Sequence, residues 1–234
     1  MARSVPPPVP SQGKGQRETI LAEAAALFAR HGYHGASMSD LAHACQLSKA
    51  TLYHHYRDKS EVLINIADGH VSRLVELCDS VDNDPTVAPG DRLAVLVERF
   101  LAEYAQAQNS HRVLTEDVRF LAPVEQERIL DKERYVVQSF ANGVAALRPD
   151  LARQKLAKPM AMLLFGMLNW MFTWLRPDGP LTHAAVTPLV LNLFFDGVRN
   201  MPAPAPAPAP APRLVRVARA APAAGKRAQR ARTA

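Results

Sequence analysis

The sequence is poor in cysteine and in long apolar runs. Its 2 cysteines, Cys45 and Cys78, are too few and too far apart for a zinc site. No apolar leader opens the chain, so two buried thiols are expected rather than a disulfide. The longest apolar run, residues 161–175, is shorter than the ~20 residues of a membrane span and contains Asn169. These shortages predict a cytoplasmic protein without a membrane-spanning helix.

Acidic residues are absent from residues 213–234, which carry seven Lys or Arg. Residues 1–60 carry seven basic and four acidic residues, whereas residues 61–212 carry fourteen basic and eighteen acidic ones. An acidic body between two basic ends predicts that the ends, not the body, meet a polyanion such as a nucleic acid. For the tail, a run of merely solvated charge is an equally open alternative.

Proline, glycine and serine mark the ends of the folded part. Residues 1–16 are expected to be a disordered arm. Residues 201–212, where proline alternates with alanine, are expected to be an extended spacer before the basic, disordered tail of residues 213–234. Between these segments apolar residues recur at helical spacing and no strand-type alternation occurs. The predicted fold class is all-α.

Capping signals predict four helices in residues 17–80. A first helix over 17–31 should end at Gly32, because glycine readily adopts a left-handed conformation. The stretch "SMSD" has the spacing of a capping box and starts a second helix over 38–45. The stretches "SKATLYHHY" and "DKSE" start a short third helix and a long fourth one.

Two short helices joined by a tight turn form a helix-turn-helix, whose second helix fits the major groove of DNA. The stretch "KATLYHHYRDKSE", residues 49–61, concentrates lysines, hydroxyls and rings in a chain with 6% aromatic residues. Lysines neutralise phosphates, hydroxyls bind phosphate oxygens, and histidines reach base edges. Tyr56 is expected to pack inward and Tyr53 to face outward. A metal pair at His54 and His55 is disfavoured, because adjacent helical side chains diverge by about 100°.

Residues 17–65 resemble the DNA-binding domain of the TetR family of bacterial transcription regulators, through "ALFARHGYHGAS" and "LAHACQLSKATLYHHYRDKSEVL" in that order. The resemblance implies an all-α homodimer with an N-terminal three-helix helix-turn-helix domain, residues 17–65, and a C-terminal helical ligand-binding and dimerisation domain, residues 66–200. It also implies binding to double-stranded DNA at a palindromic operator, and repression that a ligand relieves.

The resemblance further identifies the residues expected to contact DNA. The phosphate-contacting positions correspond to Ser37, Ser48, Thr51, Tyr53 and Lys59, and the base-reading positions to Lys49, Ala50, His54 and His55. The chain departs from the family pattern at two positions. Gln46 stands where the family usually has a glycine in the turn, which is expected to strain that turn, and Tyr56 replaces a usual phenylalanine.

The stretches "GMLNW" and "WLRPDGPL" resemble a subset of the family that responds to acyl-CoA thioesters. Methionines and aromatic rings accommodate an acyl chain, and arginines pair with the phosphates of coenzyme A. The expected ligand-binding residues are Arg119, Arg134, Tyr135, Met167, Trp170, Trp174 and Arg176. An open alternative is that the apolar ones form core and dimer interface, since helices over about 159–175 and 182–199 are the expected four-helix interface. The former segment is apolar nearly all round and is expected to be buried on several sides.

Two other classes of protein compete with this interpretation. An enzyme is disfavoured because Glu116, Asp117 and Glu133 lack a metal-site spacing and no glycine-rich phosphate loop occurs; no catalytic residue, cofactor or metal is expected. A non-specific nucleoid-type DNA-binding protein would use the basic tail instead. If the tail adds sequence-independent affinity, deleting residues 201–234 should flatten the salt dependence of DNA binding without altering the preferred site.

Overall fold

A computed structural model describes residues 12–176 and 179–202, and those residues form ten α-helices and no strand. The all-α prediction is confirmed. The helices are α1 (Gln12–Gly35), α2 (Met38–Ala44), α3 (Lys49–His55), α4 (Lys59–Asp82), α5 (Arg92–Gln106), α6 (Gln108–Asp117), α7 (Pro123–Leu147), α8 (Pro149–Arg153), α9 (Ala157–Asn169) and α10 (His183–Asn200). Short 3₁₀ turns follow α6 at Val118–Phe120 and α9 at Met171–Thr173.

Helix α1 is interrupted at Gly32, where the sequence predicts its end, but it continues to Gly35 and starts earlier than predicted. Gly32 has a φ of 73° and a ψ of 159°, which breaks the helix after His31. The expectation of a disordered arm over residues 1–16 is wrong for its last part, because α1 begins at Gln12. The helix starts soon after Pro10, the last proline of the arm, although Gly13 and Gly15 in its first turns disfavour helix. Residues 1–11 lie outside the described part of the chain.

Helices α1, α2 and α3 pack around a small apolar core. Its largest fully buried side chains are Ile20, Phe28, Leu41, Leu52 and Tyr56. The side chain of Ser37 accepts from the Asp40 amide and the Asp40 carboxylate accepts from the Ser37 amide, so the predicted capping box is present. The inward position of Tyr56 is also confirmed, since it is 1% exposed.

Helix α4 joins this small domain to the C-terminal bundle. It starts at the cap residue Asp58, whose carboxylate accepts from the Glu61 amide at 2.8 Å. Its buried face packs against α6 and α7, while α7 packs on α9 and α10 packs on α5. The rings of Phe100, Phe140 and Phe165 meet at centroid distances of 4.8 and 4.5 Å and fill the centre of the bundle. Helix α6 also packs along α1, so it touches both domains.

The composition of the segment 159–175 predicts burial on several sides, and this prediction is wrong. One side of α9 is buried through residues such as Leu164 and Leu168, but Leu163 is 65% exposed and Trp170 is 64% exposed. Apolar composition therefore marks a surface that the single chain leaves uncovered, as well as core.

The predicted spacer over 201–212 and basic tail over 213–234 lie almost wholly outside the described residues. None of the helices that are described is long and apolar enough to cross a membrane. Cys45 and Cys78 are both free thiols, and burial raises the pKa of Cys78 to about 12. The expectation of two buried thiols holds for Cys78, whereas Cys45 is only half-buried.

Candidate functional site

The exposed face of α3 carries four of the residues expected to contact DNA. Lys49, Ala50, Tyr53 and His54 are all exposed, and Tyr53 is 52% exposed. Their spacing places them on one side of the helix, opposite the buried Leu52. No acidic residue lies in α3. The helix therefore presents a cation, a phenol and an imidazole to a partner in one stripe.

Three further residues hold the helix starts. The Ser48 hydroxyl accepts from the Thr51 amide at 3.0 Å and lies 2.8 Å from the Thr51 hydroxyl. Ser37 caps α2 in the same manner. All three hydroxyls lie near helix N-termini, where backbone amides favour an anion such as a phosphate. The N-termini of α2 and α3 are thus each fixed by a capping serine, Ser37 and Ser48.

The remaining two expected DNA contacts are engaged within the protein. The His55 Nε2 lies 3.0 Å from the Gln16 Oε1, which ties α3 to the start of α1. The Lys59 Nζ donates to the carbonyl oxygens of Tyr33 and Ala36, each at 2.7 Å, and lies over the Tyr33 ring at 4.3 Å. Burial lowers the pKa of Lys59. Its ammonium group has three N–H donors, so one is left for a phosphate.

The turn between α2 and α3 has the backbone that the sequence predicts to be strained. Gln46 has a φ of 56°, in the left-handed region that a residue with a Cβ avoids. The amide of Leu47 donates to the Ala42 carbonyl at 2.9 Å and closes the end of α2. A glutamine therefore occupies a position whose conformation favours glycine.

A cavity of about 160 Å³ lies in the C-terminal bundle between α4, α5, α6, α7 and α9. Most of its wall is apolar, and it includes Leu74, Val136 and Phe165. The polar side chains on the wall are Tyr104, His111, Thr115, Glu133 and Asn169. None of these residues belongs to the set expected to bind ligand.

Some polar groups on this wall have hydrogen-bond partners within the protein, and others have none among the described residues. The Tyr104 hydroxyl donates to the Asn169 Oδ1 at 3.1 Å, and the Tyr104 ring stacks on His111 at 3.7 Å. The His111 Nδ1 lies 3.3 Å from the His70 Nε2, but the buried His111 Nε2 has no partner among the described residues. Glu133 likewise makes no hydrogen bond or ion pair with any residue that the structure describes, and burial raises its pKa.

Two polar residues that interrupt apolar helix faces are the sequence signal that could have indicated the cavity. Glu133 interrupts the apolar stripe that runs from Ile129 to Val136 and Phe140 on α7, and His70 interrupts the stripe of α4 between Ile66 and Leu74. A polar residue on a buried face needs a partner in the fold or in a ligand. Neither position lies among the aromatic and methionine residues from which the sequence predicts a ligand site.

The residues expected to bind ligand lie in separate places. Met167, Trp170 and Trp174 line one apolar groove between α9 and α10, together with Leu189 and Leu193. The two leucines are 61% and 70% exposed, so the groove belongs to a broad apolar surface of the single chain. Arg176 lies beside Trp174 at the end of this surface.

The other three expected ligand residues lie away from the groove. Arg134 forms ion pairs with Glu127 and Asp131, both at 2.6 Å, on the exposed side of α7. Tyr135 donates a short hydrogen bond to Asp79. Arg119 lines a cleft beneath the end of α1, which has Trp170 and Thr115 in its wall. Thr115 lines both this cleft and the cavity of about 160 Å³.

An aromatic cluster joins the cavity wall to the helix-turn-helix. After α6, the Phe120 ring stacks on Tyr33 at 5.7 Å with an interplanar angle of 15°, and it meets His34 at 4.3 Å. Tyr33 is the residue that Lys59 contacts at the start of α4. Helix α6 therefore lines the cavity with His111 and leads at its C-terminal end to the helix-turn-helix domain.

In the described segments, no group of three or more His, Cys, Asp or Glu side chains has an arrangement that could hold a metal ion. A polar, basic helix face suits a nucleic acid, and a largely apolar cavity with a few polar groups suits a small molecule.

Two family models match the chain. The model described as bacterial regulatory proteins, tetR family, covers residues 20–66. The model described as tetracyclin repressor-like, C-terminal domain, covers residues 86–198. Residues 67–85, which include most of α4, lie between the two matches, and together the matches take in the helix-turn-helix and most of the bundle.

Known proteins of similar sequence or structure are transcription regulators. A TetR-family transcriptional regulator from Bordetella parapertussis has 35% identity over 80% of this chain and 98% of its own, with a TM-score of 0.73. The transcriptional repressor KstR2 of Mycolicibacterium smegmatis is 24% identical over 82% of this chain and 95% of its own. AibR, solved with isovaleryl coenzyme A and operator DNA, shares the fold at 23% identity, covering 77% of this chain and 98% of its own, with a TM-score of 0.66.

Proposed function

The chain belongs to the TetR family of bacterial transcription regulators, and from this premise we propose that it is a repressor that binds a palindromic operator as a homodimer. A small hydrophobic effector, of the acyl-CoA thioester class, enters the C-terminal bundle and releases the operator. The observation that carries the proposal is the exposed stripe of Lys49, Ala50, Tyr53 and His54 on α3, the second helix of a helix-turn-helix.

On the DNA side, α3 lies in the major groove. Lys49 and His54 offer hydrogen bonds to base edges, and Ala50 is small enough to let the helix approach a thymine methyl group. Tyr53 and the capping hydroxyls of Ser37, Ser48 and Thr51 bind phosphates at the groove walls. His55 and Lys59 support this surface from behind through their contacts with α1, and Lys59 keeps one donor for a phosphate.

Dimerisation uses the apolar surface of α9 and α10. Leu189 and Leu193 on α10 and Leu163 on α9 are each more than half exposed. A contiguous apolar surface of this kind is what two copies would bury against each other in a four-helix contact. Met167, Trp170 and Trp174 belong to the same surface, which supports a role for them at the dimer interface. The dimer would set two α3 helices about 34–36 Å apart, as successive major grooves require.

On the effector side, the cavity in the bundle supports binding of a small apolar group. A coenzyme A moiety would extend from it to the surface, where arginines pair with its phosphates. Arg119 is the arginine of the expected set that lies nearest in the fold, because its cleft shares Thr115 with the cavity. Arg134 and Arg176 lie on other surfaces, and Tyr135 lies beside Arg134.

Coupling between effector and operator follows from the position of α6. One end of α6 lines the cavity, and the other leads into the Phe120 contacts with Tyr33 and His34 in the DNA-binding domain. An effector that prefers one position of α6 therefore also prefers one spacing of the two α3 helices. A preference of ~1–3 kcal/mol between the two conformations changes operator affinity about 5–150-fold.

The test is selection from random DNA by the full-length protein, with and without a panel of acyl-CoA thioesters. A recovered palindrome that one thioester releases supports both halves of the proposal. His54→Ala should change the preferred bases, whereas Arg30→Ala, which removes an exposed cation from α1, should leave them unchanged. Recovery of no preferred site would instead favour non-specific binding through the seven basic residues of 213–234.

A further inference from the structure

The cavity between α4 and α9 has features that select among effectors. Its volume of about 160 Å³ is small. An engineered protein cavity of about 150 Å³ accommodates one benzene ring, which has six non-hydrogen atoms. A group of roughly six to eight non-hydrogen atoms therefore fills the space, whereas a fused four-ring skeleton or a long alkyl chain exceeds it. Size alone separates a short acyl or single-ring group from a steroid.

The walls also select by charge. No lysine or arginine lines the cavity in the described part of the chain, so a carboxylate or phosphate would have no counter-ion there. Burial lowers the pKa of His111 to about 3, so its ring is neutral and offers a ligand anion no positive charge, and burial also raises the pKa of Glu133. Moving a charged ligand group into such a site is unfavourable unless a counter-ion pairs with it. The ligand group inside the cavity is therefore uncharged.

One polar atom of the ligand has a place to bind. The His111 Nε2 is buried without a partner among the described residues, and an unpaired buried donor or acceptor is destabilising, so a ligand atom that pairs with it gains affinity. The Asn169 Oδ1 accepts from the Tyr104 hydroxyl, which turns the Asn169 amide group into a defined orientation on the same wall. A carbonyl or hydroxyl oxygen on the ligand can meet these groups.

We infer that the cavity takes an uncharged short-chain or single-ring acyl group of about six to eight non-hydrogen atoms, whose oxygen meets His111 and its neighbours on the wall. The inference rests on the proposed function only in that binding of the acyl group would release the operator. Binding of the acyl group is a separate property, which can be measured without DNA. Any coenzyme A portion lies outside the cavity, because its phosphates have no partner inside it. A steroid-acyl or long-chain fatty acyl group does not enter the cavity, because it exceeds the cavity volume.

Direct binding by calorimetry on the full-length protein tests the inference with a graded panel of coenzyme A thioesters. The panel contains acetyl, isovaleryl, benzoyl, phenylacetyl, octanoyl, palmitoyl and steroid-acyl thioesters, with coenzyme A alone and the free acids as controls. Affinity should peak at isovaleryl and benzoyl, whose acyl groups have about six and eight non-hydrogen atoms, by about tenfold or more over both acetyl and palmitoyl. The free acids should bind at least about tenfold more weakly than their thioesters.

Variants of the wall locate the binding. His111→Phe keeps a ring against Tyr104 and removes the unpaired nitrogen, so affinity for the preferred thioester should fall about tenfold. Met162→Ala enlarges the cavity at a residue that is 52% exposed, and the preferred acyl group should become longer. Met160→Ala removes the same side chain from the same helix outside the cavity and should leave the preference unchanged. Unaltered operator binding without effector shows that each variant is folded.

The outcomes separate this inference from the proposed function. Tightest binding of a palmitoyl or steroid-acyl thioester, or no binding of any short or single-ring thioester, overturns the inference even if that ligand releases the operator. Equal affinity of wild type, His111→Phe and Met162→Ala for every thioester also overturns it. Binding of a short thioester with the expected variant effects, but without operator release, upholds the inference and contradicts the proposed effector role.

Discussion

At the scale of single residues, Gln46 is the clearest case of strain at a turn. Its φ of 56° is a conformation that costs a residue with a Cβ about 1–2 kcal/mol and costs glycine far less. We expect Gln46→Gly to raise the free energy of unfolding by about 1 kcal/mol, because relief of this strain exceeds the added entropy of the unfolded glycine. Urea denaturation measures it. Gln46→Ala is the control that keeps a Cβ and should give little change; a less stable glycine variant would contradict the strain.

His70 and His111 predict how stability depends on pH. Burial lowers the pKa of His70 from 6.5 to about 4 and that of His111 to about 3. The unfolded chain therefore binds protons that the folded chain does not. The free energy of unfolding should be unaffected by these two groups above pH ~6.5 and should fall below it, by about 1.4 kcal/mol per pH unit for each histidine, until the folded pKa is reached.

Denaturation curves between pH ~7 and ~4.5 measure this slope. Carboxylates also contribute in acid, so the comparison is with His111→Phe, which should make the slope shallower by about one proton. His54→Gln, which replaces an exposed histidine on α3, is the matched control and should retain the slope of the wild type. Identical slopes in all three proteins would exclude a neutral buried pair.

Sequence reasoning succeeds at Gln46 and fails at His111 for physical reasons. The strain at Gln46 is local, because a tight turn between two helices requires a left-handed residue at one position whatever surrounds it. His111 has no such local signature. Its importance comes from Tyr104 and His70, which lie on other helices and meet it only after α4, α5 and α6 have packed.

At the scale of elements, α6 is the helix that both halves of the molecule share. Phe120 follows it and stacks on Tyr33 at the end of α1. We expect Phe120→Ala to leave effector affinity unchanged while reducing the effect of effector on operator affinity from the expected 5–150-fold range toward about one. Operator binding by fluorescence anisotropy, with and without effector, measures the ratio. Val124→Ala changes a side chain that is 83% exposed at the start of α7 and should retain full coupling.

A different result at Phe120 would redirect the search for the coupling. If Phe120→Ala responds to effector as the wild type does, the signal passes through α4, which also joins the two domains. If the variant loses effector affinity as well, the side chain supports the cavity rather than the junction. Calorimetry on the same samples distinguishes these results.

Helix boundaries are the part of the fold that the sequence predicts best. Caps such as Ser37, Ser48 and Asp58 act through hydrogen bonds within a few residues, and all three start helices where expected. Burial is predicted less well. The composition of α9 does not distinguish a side that faces core from a side that a second chain would cover, because both are apolar.

At the scale of the whole molecule, the apolar surface of α9 and α10 predicts how the protein assembles. Leu193 is 70% exposed at its centre, in a groove with Trp174 and Leu189. We expect Leu193→Asp to give a monomer, because dimerisation would bury a carboxylate against apolar side chains without a partner. The fold should persist, since the side chain is exposed in the single chain. Sedimentation with circular dichroism measures both properties.

Loss of the dimer should abolish operator binding rather than weaken it slightly. One copy presents one α3 helix, so only half of a palindrome is contacted and the contribution of the second half-site is lost. The matched control is Val124→Asp, which places the same charge on a residue that is 83% exposed outside this surface, and it should leave dimer and operator binding intact. A monomeric Leu193→Asp protein with full operator affinity would mean that each α3 acts alone, and the spacing between two helices could then no longer be what the effector changes.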